Sequence, residues 1–152
     1  MSETDRIEKE IVVKATRARV WRALTDVSEF NRWFGVEMDD AFAPGKRARG
    51  RVTYPGYEHI PMDVLVERME PESLLSFRWH PGAAEEGHGY PDEERTLVVF
   101  ELSDAPGGTR VRVVETGFDR IPAARRAKAF RLNDEGWAGQ MENIRKHVEA
   151  AS

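Results

Sequence analysis

Hydrophobic positions recur along this chain with two periods, and the switches between them outline its elements. Between residues 6 and 15, Ile7, Ile11 and Val13 share one parity while Glu8, Glu10 and Lys14 take the other, the mark of a half-buried strand. Behind Thr16, a residue suited to capping, Val20, Trp21, Leu24 and Val27 fall at helical spacing. Asp26 or Ser28 then caps a second run holding Phe30, Trp33 and Phe34. The Thr25-Asp26-Val27-Ser28 stretch is dense in side chains that compete for backbone hydrogen bonds, so two short helices are expected rather than one, with Gly35 ending the pair.

Alternation then returns. Val36, Met38 and Phe42 suggest one strand, and Pro44-Gly45 a turn. Over residues 46–54, Ala48, Gly50, Val52 and Tyr54 alternate with Arg47, Arg49, Arg51 and Thr53. After Pro55-Gly56, residues 57–69 carry Ile60, Met62, Val64 and Val66 on one face. Pro71-Glu72 leads into Leu75, Phe77 and Trp79; residues 81–94, rich in Gly, Pro and acidic groups, read as a long exposed loop. Val98, Phe100 and Leu102 form the next strand, Ala105 to Gly108 a hairpin connection, and residues 109–118 a last strand with Val111 and Val113 inward. From Pro122 the pattern is helical nearly to the end, with Phe130, Trp137, Met141, Ile144 and Val148 in one stripe. Gly136 and Gly139 weaken that helix locally and leave room for close approach to its backbone.

This order predicts a single α+β domain over residues 1–152. Its architecture is a helix-grip: a curved antiparallel sheet of about six or seven strands, in β-α-α-β6-α order, around a long C-terminal helix. A sheet with one apolar face has to bury it, and the last helix is the only later element able to cover it. Gly50 is a candidate kink or bulge within the sheet. A curved sheet gripping one helix leaves space toward one end, and such pockets are typically apolar with a few placed polar groups.

Composition narrows the function classes. The 152 residues hold 23 Lys plus Arg against 27 Asp plus Glu, a formal charge of −4, so no concentrated basic face points to nucleic acid. Absence of cysteine removes disulfides and thiolate chemistry. No signal peptide and no uncharged apolar run of the roughly 20 residues needed for a membrane span are visible, so a cytoplasmic protein is the expectation. Neither a Gly-rich phosphate loop nor a nucleophile elbow occurs, and no cofactor is expected. His59, His80, His88 and His147 are scattered. His80 and His88 lie near Glu85, Glu86 and Asp92, but solvent exposure explains that set, and no metal site is expected. The Arg47-Arg49-Arg51 ladder reads as the solvated side of a strand.

Ile11 to Gly35, IVVKATRARVWRALTDVSEFNRWFG, resembles the opening of the START-like, or SRPBCC, superfamily. Met62 to Trp79, MDVLVERMEPESLLSFRW, and Val113 to Pro122, VVETGFDRIP, followed by Asn133 and Gly136-Trp137, are similar to the branch named for the activator of heat-shock-protein-90 ATPase. The resemblance implies a ligand cavity between sheet and C-terminal helix. It does not imply one activity, since members include lipid carriers, aromatic polyketide cyclases and a co-chaperone domain. The sequence shows no counterpart of the separate N-terminal domain of the full-length eukaryotic activator, so a chaperone partner is not expected.

The leading expectation is a small apolar or aromatic ligand, with Trp79, Trp137, Met62, Met141, Phe100 and Val113 as walls. Asn133 is a candidate hydrogen-bonding group or a tie between helix and loop. Glu115 shares the inward parity of Val111 and Val113, and is a weak candidate for catalysis as a base, or a polar anchor for a ligand hydroxyl. The plainer reading pairs Glu115 with an arginine or sets it at a wet sheet edge. Trp21 and Trp33 either close one end of the cavity or fill the joint between helices and sheet. The alternatives kept beside ligand binding are a polyketide cyclase- or aromatase-like enzyme, and a co-chaperone-type interaction module; a homodimer stays open.

Overall fold

The computed structural model describes residues 6–53, 55, 58, 61–79, 95–121 and 123–150. Strand β1 (Arg6–Val13) leads into helices α1 (Arg17–Thr25) and α2 (Val27–Phe34). Strands β2 (Val36–Met38), β3 (Arg47–Val52), β4 (Pro61–Glu70), β5 (Leu74–Trp79), β6 (Thr96–Ala105) and β7 (Gly108–Thr116) follow, then a 3-10 turn (Phe118–Arg120) and helix α3 (Ala123–Ala150). Tyr54, Ile60, His59, Pro122 and the expected loop 81–94, with His80 and its acidic neighbours, lie outside the described residues.

Both expected caps form: Thr16 Oγ1 accepts from the Arg19 N–H, and Asp26 accepts from the backbone of Ser28 and Glu29. Because Asp26 both ends α1 and caps α2, the chain breaks into two helices there. Gly35 closes α2 in the left-handed region at φ 84°, where a side chain would be strained.

The seven strands make one antiparallel sheet in the order β1-β7-β6-β5-β4-β3-β2, curved around α3. Chain order is kept from β2 to β7, and β1 closes against β7, so the two ends of α1–α2 lie at opposite edges. Alternation buries Met62, Val64 and Val66 on β4, Leu75 and Phe77 on β5, Val98, Phe100 and Leu102 on β6, and Val111 and Val113 on β7. Trp137, Met141, Ile144 and Val148 of α3 close the same core, while α1 and α2 add Val20, Leu24, Phe30 and Trp33. Trp33 donates its indole N–H to Ala23 O at 2.8 Å, which ties α2 to α1 and makes this tryptophan a filler of the helix joint.

Two local details differ from the pattern. Gly50 is no bulge: it sits opposite Met38 in a regular ladder, where a Cβ would lie 2.1 Å from Glu37 O, so glycine permits β2 to approach β3. The irregularity lies instead in β4, between Val66 and Arg68. On the solvent face, Arg47 pairs with Asp63 and Arg51 with Glu37, as the solvated reading of the arginine ladder requires.

Candidate functional site

Inward alternation along β7 ends on Glu115, which is fully buried. It lies opposite Val98 in the β6–β7 register, while Trp79 at the end of β5 lies opposite Thr96 at the start of β6. From the other side α3 supplies Asn133 and Trp137, four residues apart and therefore on one helix face. All four side chains converge on the carboxylate. Trp137 Nε1 donates to Oε1 at 2.8 Å, Trp79 Nε1 to Oε2 at 2.8 Å, and Thr96 Oγ1 lies 2.5 Å from Oε2. Asn133 Nδ2 is 3.0 Å from both oxygens.

The set contains no cation, so neither the arginine pairing nor the wet edge describes Glu115. Burial pushes its carboxyl above the usual range, and the bonds from Thr96, Trp79, Trp137 and Asn133 pull the other way without cancelling that rise. With both oxygens engaged by donors, Glu115 acts as a clamp between sheet and helix.

The clamp holds two indoles in a fixed pose. Trp79 and Trp137 stack with ring centroids 5.5 Å apart and planes 26° from parallel. Phe34 meets both at 6.1 Å, and Phe100 packs edge-on against Trp137 at 5.6 Å from behind. In front of the pair lies a recess of about 160 Å³ walled by Phe34, Trp79, Trp137 and Leu132. Asn133, Gly136 and Gln140 complete its lining. Gln140 turns inward, Nε2 donating to Phe34 O at 2.9 Å and Oε1 accepting from Asn143 at 3.0 Å. A Cβ on Gly136 would meet nothing within 4 Å, so the missing side chain is open volume.

Of the residues expected from the sequence, Trp79, Asn133 and Trp137 reach the recess, and Glu115 stands behind them. Met62, Phe100, Val113 and Met141 belong to the closed core and do not line it. Phe34, Leu132 and Gln140 join the lining without having been singled out for it. Leu132 carried a signal, being an apolar residue off the α3 stripe, and it is one of the exposed large hydrophobic residues. Two larger hollows, of about 490 and 550 Å³, lie elsewhere. Charged side chains that pair with one another, such as Arg112 with Glu8 and Glu101, border the first. The second surrounds the start of α1. Among the described residues no cluster of ligand-type side chains fits a metal ion, and no helix is long and apolar enough to cross a membrane.

The family model described as Activator of Hsp90 ATPase homolog 1-like protein matches residues 14–149. Among solved structures, protein MLL2253 from Mesorhizobium loti is 23% identical with a TM-score of 0.76, the match covering 97% of this chain and 98% of that one. DynU16, a protein in the dynemicin biosynthetic locus, is 21% identical with a TM-score of 0.74 over 97% of this chain; the match spans 48% of DynU16. The Aha1 dimer from Colwellia psychrerythraea gives 18% identity and a TM-score of 0.68, covering 95% of this chain and 96% of that one. At these identities the likeness is one of fold. No curated protein matches the chain.

Proposed function

The chain belongs to the Activator of Hsp90 ATPase homolog 1-like family, and on that premise we propose that it binds a small apolar or aromatic molecule in the recess between the sheet end and α3. One observation carries this reading: a solvent-reachable apolar hollow faced by two indoles that Glu115 holds in place. Preorganised aromatic walls lower the ordering cost of binding a planar ring. The hollow is small beside usual ligand pockets of roughly 300–1,000 Å³, and close to the cavity of about 150 Å³ known to admit benzene. A single ring, or the ring end of a longer molecule, is the matching size. Binding is favoured over turnover because both Glu115 oxygens are already occupied. The presence of DynU16 in a biosynthetic locus agrees with a small-molecule role.

Burying roughly 100 Å² of one ring is worth about 2.5 kcal/mol, so probes belong in the millimolar range. Titration of benzene derivatives, indole and short fatty acids, followed by tryptophan fluorescence and ligand-observed NMR, tests the reading. At least one class should bind saturably, and Gly136→Leu, whose side chain grows into the open volume, should abolish the response while thermal unfolding stays cooperative. Absence of binding by the whole panel, or undiminished binding by folded Gly136→Leu, refutes it.

A further inference from the structure

The polar chemistry of the recess narrows the ligand class, given the binding reading above. Both indole N–H groups are turned inward to Glu115, and Gln140 has both its polar atoms bonded inside the fold. Asn133 Nδ2 faces the carboxylate, at 3.0 Å from each oxygen. Its Oδ1 is then the one polar side-chain atom of the described lining without a protein partner, and it is not among the buried unpartnered atoms of the described residues. We propose that Asn133 Oδ1 is the specificity element of the recess, selecting a planar apolar ligand that carries a hydrogen-bond donor, as a phenol or an aromatic N–H does.

The direction of the amide follows from the clamp. Trp79 and Trp137 donate only, so each carboxylate oxygen already accepts from an indole. An ionised Glu115 offers nothing but acceptors, which obliges Asn133 to present nitrogen. When Glu115 carries a proton, Thr96 Oγ1 at 2.5 Å is the acceptor placed to receive it, and Thr96 in turn reaches Trp79 O at 3.5 Å. In either state Nδ2 points inward and the oxygen is left for the ligand. An acceptor-only ligand would set lone pairs against lone pairs there and is disfavoured.

The test compares phenol with toluene, which has the same heavy-atom count, and with benzonitrile, which accepts but does not donate. Dissociation constants come from ligand-observed NMR titration of the full chain. Phenol is expected to bind about two- to tenfold tighter than either, the scale of one net hydrogen bond. In Asn133→Leu, which removes the oxygen at similar volume, the ratio of phenol to toluene affinity should fall to about one. Equal affinities in the wild-type protein, or tightest binding by benzonitrile, overturn the selectivity and leave the binding reading standing. Failure of all three to bind overturns the selectivity, and the binding reading falls with it when indole and the fatty acids fail as well. Should Asn133→Leu fail to fold, the wild-type comparison decides alone.

Discussion

Replacing Glu115 by glutamine removes the titrating group of the clamp while keeping its shape, and the structure gives the outcome a sign at each pH. Each carboxyl oxygen accepts an indole N–H, from Trp137 on Oε1 and from Trp79 on Oε2. Whichever way the glutamine amide turns, its nitrogen meets one of these, and an indole cannot accept. One buried donor is therefore left unpaired, a loss of about 1–3 kcal/mol. Below about pH 4.5 the parent carboxyl is neutral in both folded and unfolded chains, so the full loss shows there. Because burial holds the folded pKa above the unfolded one, the parent gives up stability as pH rises through that folded value. The glutamine variant has no such slope. The deficit should thus be largest in acid and narrow by about 1.4 kcal/mol for each unit of pKa difference. Urea unfolding of both proteins, followed by fluorescence between pH 4 and 8, measures it. A gap that is constant with pH, or that widens toward pH 8, refutes the argument.

Two further outcomes follow from parts of the fold away from the recess. Glu29 accepts from Arg19 and Arg22 at 2.7 Å each and lies 2.9 Å from His147 Nε2, joining α1, α2 and the last turn of α3. Burial raises its carboxyl, but the bonds from His147 and Arg19 outweigh it and leave the pKa depressed. Its stabilisation is therefore present above about pH 4.5 and lost as pH falls through the folded value. Glu29→Gln should cost about 1–3 kcal/mol at pH 7 and less at pH 3, as read from urea midpoints. Gly139 is exposed within α3, and a Cβ there meets nothing within 4 Å. Gly139→Ala should add about 1 kcal/mol and raise Tm by about 2–4 °C in calorimetry, with ring binding unchanged.

Much of the architecture was legible because parity and helical spacing survive folding nearly intact. Thr16 and Asp26 cap where their side chains allow, and the inward parity of Val111 and Val113 carries on to Glu115. The β4 irregularity left only a faint trace: Met69 packs on the core from the parity opposite to Val64 and Val66. The partners of Glu115 were not legible. Trp79, Thr96, Asn133 and Trp137 come from three elements, and their meeting depends on strand register and helix rotation that no local spacing encodes. For the same reason Met62, Phe100, Val113 and Met141, apolar and inward like the indoles, could not be separated from the recess walls. Which inward residues meet solvent at the end of the helix is a property of where the packing stops.

The clamp also has a consequence for how the long helix finds its seat. Apolar stripes tolerate sliding, since one methyl group replaces another with small loss. Moving α3 by a single turn, about 5.4 Å, would break the Asn133 and Trp137 bonds as they stand and deprive Oε1 of Glu115, which takes no bond from the sheet, of its partners in the dark between sheet and helix. Only one depth and one rotation satisfy that group, so a minority of polar contacts converts a greasy interface into a keyed one.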